Sequence, residues 1–155
     1  WYKPRDVIRL FSIMQKQHGY KTFFDQEIFD SVRKQYSEES WIEFEEVLTA
    51  KYSDVEVEGI RKALNGINLP FAVSDFQKQI DGKIDFFEEV EILSKNRKTK
   101  QILKDLYDIG VIGNYGPNPR FIFKGDTDID PLMPLTIHYP LIRFFRAAMP
   151  HKKKK

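Results

Sequence analysis

The sequence predicts a mainly α-helical chain, a helical bundle followed by a winged helix-turn-helix with a small β-wing, on three observations. Hydrophobic residues recur at helical spacing through most of the chain. Capping residues and glycine stops divide that pattern into helix-sized pieces. The stretch from Arg97 to Lys124 then passes from helix to short β-prone runs around a turn rich in Gly, Pro and Asn.

The first helix has Val7, Ile8, Leu10, Phe11 and Met14 as its apolar positions. Pro4 sits in its first turn, where a missing N–H is not needed, and Gly19 supplies the stop. Thr22 with Asp25 reads as a capping pair for a second helix that buries Ile28, Phe29, Val32 and Tyr36. Ser37, followed by Glu38 and Glu39, reads as the start of a third, because carboxylates stabilise a helix N-terminus. Its inward side is Trp41, Phe44, Val47, Leu48 and Tyr52. Residues 1–52 are thus expected to form a three-helix bundle.

Residues 53–149 make the second expected unit. Ser53 and Glu56 open a helix through Val57, Ile60 and Leu64 that ends at Gly66. Ser74 with Gln77 repeats the device before Phe76 and Ile80, ending at Gly82, and a short amphipathic helix is expected over Asp85 to Leu93. A basic turn at Arg97, Lys98 and Lys100 then leads into a helix with Ile102, Leu103, Leu106, Tyr107 and Ile109 on one face. Gly110 stands where a helix end favours the left-handed conformation. Val111-Ile112 and Arg120 to Lys124 are the expected strands of the wing, joined through Tyr115-Gly116-Pro117-Asn118-Pro119. After an acidic loop, Leu135 to Met149 reads as a strand or turn and a helix over Leu141, Ile142, Phe144 and Phe145. Residues 150–155 form a basic tail, either native or appended.

Composition excludes several classes. Hydrophobic residues make up 41% and aromatics 14%, which is enough to bury a core and excludes a disordered chain. No apolar run approaches the roughly 20 residues a membrane helix needs, and no signal peptide is present, so a cytoplasmic protein without a membrane partner is expected. The absence of cysteine removes disulfides and thiolate metal sites and suits a reducing compartment. Net charge is only +2 but unevenly spread. Asp25 to Glu58 holds eleven acids against three bases, whereas Lys95 to Lys104 holds five bases and no acid. Trp1 in place of Met predicts a piece of a longer protein.

Motifs for autonomous chemistry are missing. Asp126, Asp128 and Asp130 suggest a calcium loop, but its sixth and twelfth positions are Pro131 and Ile137 instead of Gly and Glu, so a solvated acidic turn is expected. The three histidines, His18, His138 and His151, form no helical i, i+4 pair. His138, between Ile137 and Tyr139, reads as a core or interface residue, with a catalytic base beside a nearby acid as the lesser alternative. No Gly-x-Ser-x-Gly, cysteine nucleophile or phosphate-binding Gly-rich loop occurs. Two features stand out instead. Arg97, Lys98, Lys100 and Lys104, with Arg120 and Lys124 of the wing, could face the phosphates of DNA or a partner protein, or simply form a solvated face. Arg5, after Pro4, is fixed at a helix N-terminus, where it could reach a phosphate supplied by a neighbouring domain or pair with a surface acid.

The stretch Lys3-Pro4-Arg5-Asp6-Val7-Ile8-Arg9-Leu10-Phe11 resembles the sensor-2 segment of AAA+ and STAND-type P-loop ATPases, where a Pro-Arg opens the lid helix. Ile102 to Asn114 looks like the winged-helix segment of a group of bacterial P-loop ATPases. In that group a basic wing strand and a His-containing terminal helix follow, similar to Arg120 to Lys124 and Ile137 to Leu141. The resemblance implies that residues 1–52 are an ATPase lid and that Arg5 senses nucleotide. It implies too that ATP and magnesium bind an upstream domain, since no Walker A, Walker B or sensor-1 element has a counterpart here. This chain would then be no enzyme by itself but a regulatory and interaction module, contacting a partner protein or DNA through its wing. Some of these ATPases defend bacteria against phage, which sets the cellular context the resemblance suggests. The alternative is an autonomous DNA-binding winged helix.

Overall fold

The computed structural model describes residues 4–122 and 128–147. Among them lie α1 (Pro4–His18), α2 (Gln26–Leu48), α3 (Asp54–Leu64), α4 (Val73–Asp81), α5 (Glu88–Asn96) and α6 (Thr99–Asp108). They are followed by β1 (Ile112–Asn114), β2 (Leu135–Ile137) and α7 (Tyr139–Phe144). The mainly helical class with a small sheet agrees with the sequence.

The expected third helix does not exist. Gln26 to Leu48 is one continuous helix of 23 residues, so residues 4–52 hold two helices rather than three. Ser37 and Ser40 are buried in its middle. The Ser40 hydroxyl donates back to the Tyr36 carbonyl at 2.7 Å and accepts from the Arg9 guanidinium at 3.2 Å. Ser40 is thus bonded back within the helix, and the start signature at buried Ser37 is overridden by the unbroken packing of α2. The cap of α2 is Asp25, which accepts the Ile28 N–H at 3.0 Å; Thr22 plays no part in it.

Because α2 is unbroken, it joins two apolar clusters. Ile13 and Met14 of α1 pack with Ile28, Val32 and Tyr36. From Trp41 onward α2 belongs to a larger cluster with Ile60, Leu64, Phe76, Leu93, Leu103, Tyr107 and Phe145. The change of partner falls between Tyr36 and Trp41.

α3 starts at the expected box, with the Ser53 N–H donating to Glu56 at 2.9 Å and the Glu56 N–H donating to Ser53 Oγ at 3.3 Å. α4 begins before Ser74, since the Asp75 carboxylate accepts the Ala72 N–H at 3.0 Å; the Ser74–Gln77 pair is not the cap. α5 begins at Glu88 instead of Asp85. It crosses α3 at Gly59, where a Cβ would stand 2.4 Å from the Glu89 carbonyl oxygen. Only glycine permits that approach.

α6 ends as expected. Gly110 has φ 83°, and the N–H groups of Gly110 and Val111 reach the carbonyls of Tyr107 and Leu106, both at 2.9 Å. These are the two hydrogen bonds of a Schellman turn. β1 then pairs antiparallel with β2, Ile112 opposite Ile137 and Asn114 opposite Leu135.

That partner corrects the expected wing. The segment from Arg120 meets β1 through the single bridge of Asn114 with Arg120, and residues 123–127, Lys124 and Asp126 among them, lie outside the described residues. Pro119 has no N–H to extend a ladder, whereas Leu135–Ile137 are buried throughout and gain from a central position. On its other edge β2 exchanges hydrogen bonds with Phe71, at 3.0 and 2.7 Å. The order across the sheet is therefore Phe71, β2, β1, Arg120. Buried Asn114 also pins the returning loop, its side chain bonding the carbonyl and N–H of Asp130 at 2.8 and 3.0 Å.

Candidate functional site

The cations expected to face DNA or a partner divide into two sets. Arg97, at the C-terminal end of α5, donates to Glu56 at 2.9 and 3.2 Å and to the Lys51 carbonyl at 3.0 Å, and its guanidinium lies 4.7 Å over the Tyr52 ring. The Glu56 hydrogen bonds hold this arginine above its ordinary range, with Tyr52 and Asp105 adding field. Lys104 pairs with Asp108 at 3.1 Å and faces Asp128 at 3.9 Å. Arg120 stands 3.9 Å from Asp130 and 3.1 Å from the Met133 sulfur. These three are engaged within the fold. Lys98 and Lys100 are exposed at the first turn of α6, which holds no acid.

Beneath this surface lies a buried polar group. Asp105 of α6 accepts from Tyr52 at 2.5 Å, from Gln101 at 2.9 Å and from Lys51. Burial pushes the Asp105 carboxyl up, but Lys51, Tyr52 and Gln101 together outweigh it and hold it below its usual range. Burial and then Asp105 push the Tyr52 phenol well up. The arrangement ties the segment that follows α2 to α6.

Arg5 and Asp6 point in different directions. Arg5 is 61% exposed on α1, 3.5 Å from Glu43. Asp6 is turned inward, 3.8 Å from Arg9 and 3.5 Å from His138 Nε2. His138 is 1% exposed, between the rings of Phe44 and Phe121, and its backbone N–H donates to Val111 at 2.8 Å. The sequence expectation of a core histidine agrees with that burial. The nearby acid exists, and with both side chains buried the pair joins α1 to the β2–α7 junction.

A cleft on the described surface was not expected from sequence. It encloses about 660 Å³ between α2 and α7, beside Leu10 of α1. Arg33, Arg143 and Arg146 line it, with Phe29, Tyr36 and Tyr139, and none of the described lining residues carries a carboxylate. Arg33 pairs with Asp30 at 3.3 Å. The sequence holds a signal for this site: Arg143 and Arg146 lie one helical turn apart in a stretch, 131–155, without a single acid. Among the described residues no group of His, Asp and Glu could hold a metal ion. No described helix is long and apolar enough to cross a membrane.

Compared with known proteins, the chain matches no family model, no curated protein and no solved structure.

Proposed function

We propose that this chain is the regulatory and interaction module of a P-loop ATPase, with α1 and the first half of α2 as lid and the region from α3 onward as a winged helix. The observation that carries the reading is the outward face of α1. Arg5, Ile8 and Phe11 recur there at i, i+3 and i+6, and the two apolar side chains are 67% and 46% exposed. An apolar strip headed by an accessible arginine is the surface a lid helix needs, since the strip docks on a neighbouring domain and the guanidinium reaches its phosphate. The sheet order supports the second half. A winged helix places a short strand between its first two helices and packs it on the returning strand of the wing, as Phe71 stands to β2 here. α5 is an insertion in that scheme. The setting is cytoplasmic, and the resemblance to phage-defence ATPases gives the biological context.

Nucleotide turnover upstream would shift the lid and so expose or hide a partner surface. The first test is the coding sequence upstream of Trp1. A Gly-rich phosphate loop ending in Lys-Ser or Lys-Thr is the expected result, and a parent chain lacking one overturns the proposal. In the whole protein, Arg5→Ala is expected to lower ATP turnover or its regulation; unchanged turnover and nucleotide affinity would remove Arg5 from the mechanism.

A DNA-binding winged helix is the second reading, favoured by Lys98 and Lys100. Cations at a helix N-terminus oppose the helix dipole, and a phosphate from DNA would offset that. Its test is binding to duplex DNA across a salt series. Affinity should fall steeply with salt and with charge reversal at both lysines, and salt-independent binding or none at low salt rejects it.

A further inference from the structure

The cleft between α2 and α7 has the features of a built site. Its volume, about 660 Å³, falls within the range of small-molecule pockets. One wall is made of ring and aliphatic atoms from Phe29, Tyr36, Tyr139 and Pro140, and the cations Arg143 and Arg146 stand at the α7 end. Both arginines also line a smaller adjoining hollow with Glu38, whose carboxylate pairs with Lys34 at 3.8 Å. Neither has an ion-pair partner among the described residues.

Arg146 supplies an independent observation. It is the one non-glycine with positive φ among the described residues, at 50°. Its N–H donates to the Arg143 carbonyl at 3.1 Å, and the Ala147 N–H donates to the Ile142 carbonyl at 3.0 Å. This is the same Schellman turn that ends α6, where the corresponding position is Gly110. A branched-chain-free glycine is the favoured residue there, and an arginine strains the backbone. The strained residue is thus one of the two cations at the α7 end of the cleft.

We propose that this cleft binds a nucleoside phosphate, its phosphate held by Arg143 and Arg146 and its base set against Phe29, Tyr36 and Tyr139. Two guanidiniums a helical turn apart offer planar, multi-donor recognition of phosphate oxygens, and the aromatic wall suits a flat ring. The site is separate from Arg5 and does not rest on the ATPase reading.

The test is calorimetric titration of the intact chain with the four ribonucleoside monophosphates, with adenosine and inorganic pyrophosphate as probes lacking one half of the ligand. Saturable one-to-one binding of at least one monophosphate is expected, about tenfold or more tighter than either half-ligand. Arg143→Gln is expected to weaken it by about tenfold or more. Arg146→Gly is the discriminating variant: binding should weaken similarly while the unfolding midpoint stays level or rises, since glycine relieves the backbone strain. No saturable binding at millimolar monophosphate, equal affinity for pyrophosphate, or full affinity in Arg143→Gln would each overturn the proposal. So would tight binding of a single-stranded oligonucleotide without any monophosphate binding, which would reassign the cleft to nucleic acid.

Discussion

Both carboxylate oxygens of Glu56 receive Arg97, Oε1 at 2.9 Å and Oε2 at 3.2 Å. The pair joins the capped start of α3 to the end of α5, and it has a consequence for acid stability. The hydrogen bonds from Arg97 lower the Glu56 carboxyl from 4.5 to about 2; burial opposes them, and the Ser53 N–H assists. A pKa lower in the folded state means that the unfolded chain takes up the extra proton as pH falls. The stabilisation is therefore complete above about pH 4.5 and is lost as pH drops towards 2. Glu56→Gln is expected to cost about 1–3 kcal/mol at neutral pH and to show a flatter profile in that window. Urea unfolding at pH values from about 7 to about 2 checks this. Parallel profiles for the two proteins would show that the pair carries no acid-dependent stability.

The Tyr52–Asp105 contact acts at the other end of the pH scale. Burial foremost, and then the hydrogen bond to Asp105, raise the Tyr52 phenol above its ordinary 10.0. A raised folded-state pKa gives stability that is present below the unfolded value and lost as pH climbs past it. The loss begins near pH 10. Tyr52→Phe removes that alkaline loss and also one hydrogen bond to a buried carboxylate, costing about 1–2 kcal/mol at neutral pH. Thermal unfolding at neutral and alkaline pH distinguishes the two effects: the deficit of the variant should shrink above pH 10. A deficit that grows instead would contradict the assignment.

What could be read from the sequence follows the range of each interaction. The end of α6 was legible because apolar spacing and Gly110 act within a few residues. The Ser53–Glu56 box was legible for the same reason. Ser37 misled because its decisive setting is tertiary: α2 is packed by α1 and α7, Ser37 lies buried beside the α7 cleft, and Arg9 reaches neighbouring Ser40 across 31 residues. The wing misled similarly, since nothing local marks Leu135 as the meeting point of Phe71 and Asn114. The cleft was least legible, because Arg33 and Arg143 meet only through the packing of α2 on α7. A net charge of +2 conceals such a site, because the acids of α2 balance the sum without lining the cleft.

Lys98 and Lys100 give a prediction in which stability and binding oppose each other. Both stand at the N-terminal turn of α6, where the helix dipole disfavours cations and no acid compensates. Lys98→Glu and Lys100→Glu should each stabilise the protein by about 0.3–1 kcal/mol at low salt, with the gain shrinking as salt is added. Chemical denaturation at two salt concentrations measures it. If α6 meets DNA, the same variants lose affinity although they fold better. Destabilisation by either substitution would mean that the lysines already have favourable partners in the fold.

Gly59 tests the close approach of α3 and α5 in the larger cluster. Two opposing terms decide the outcome of Gly59→Ala. Alanine is favoured over glycine inside a helix by about 1 kcal/mol. Against this, the added methyl would stand 2.4 Å from the Glu89 carbonyl oxygen and 3.0 Å from the Leu93 Cβ, so α5 must move away. The nearest obstacle is backbone, which cannot rotate aside as a side chain can, and overpacking of this kind costs about 1–3 kcal/mol or more. Displacing α5 also pulls Val90 and Leu93 from the buried cluster and carries Arg97 away from Glu56. The packing term should win, for a net loss of about 2 kcal/mol, or a fall of roughly 4–8 °C in unfolding midpoint. The loss of the Arg97–Glu56 contact distinguishes this from a merely local clash: in the Gly59→Ala background, Glu56→Gln should cost less than in the parent chain. A stabilised Gly59→Ala protein would mean that α3 and α5 do not approach as closely as Gly59 allows.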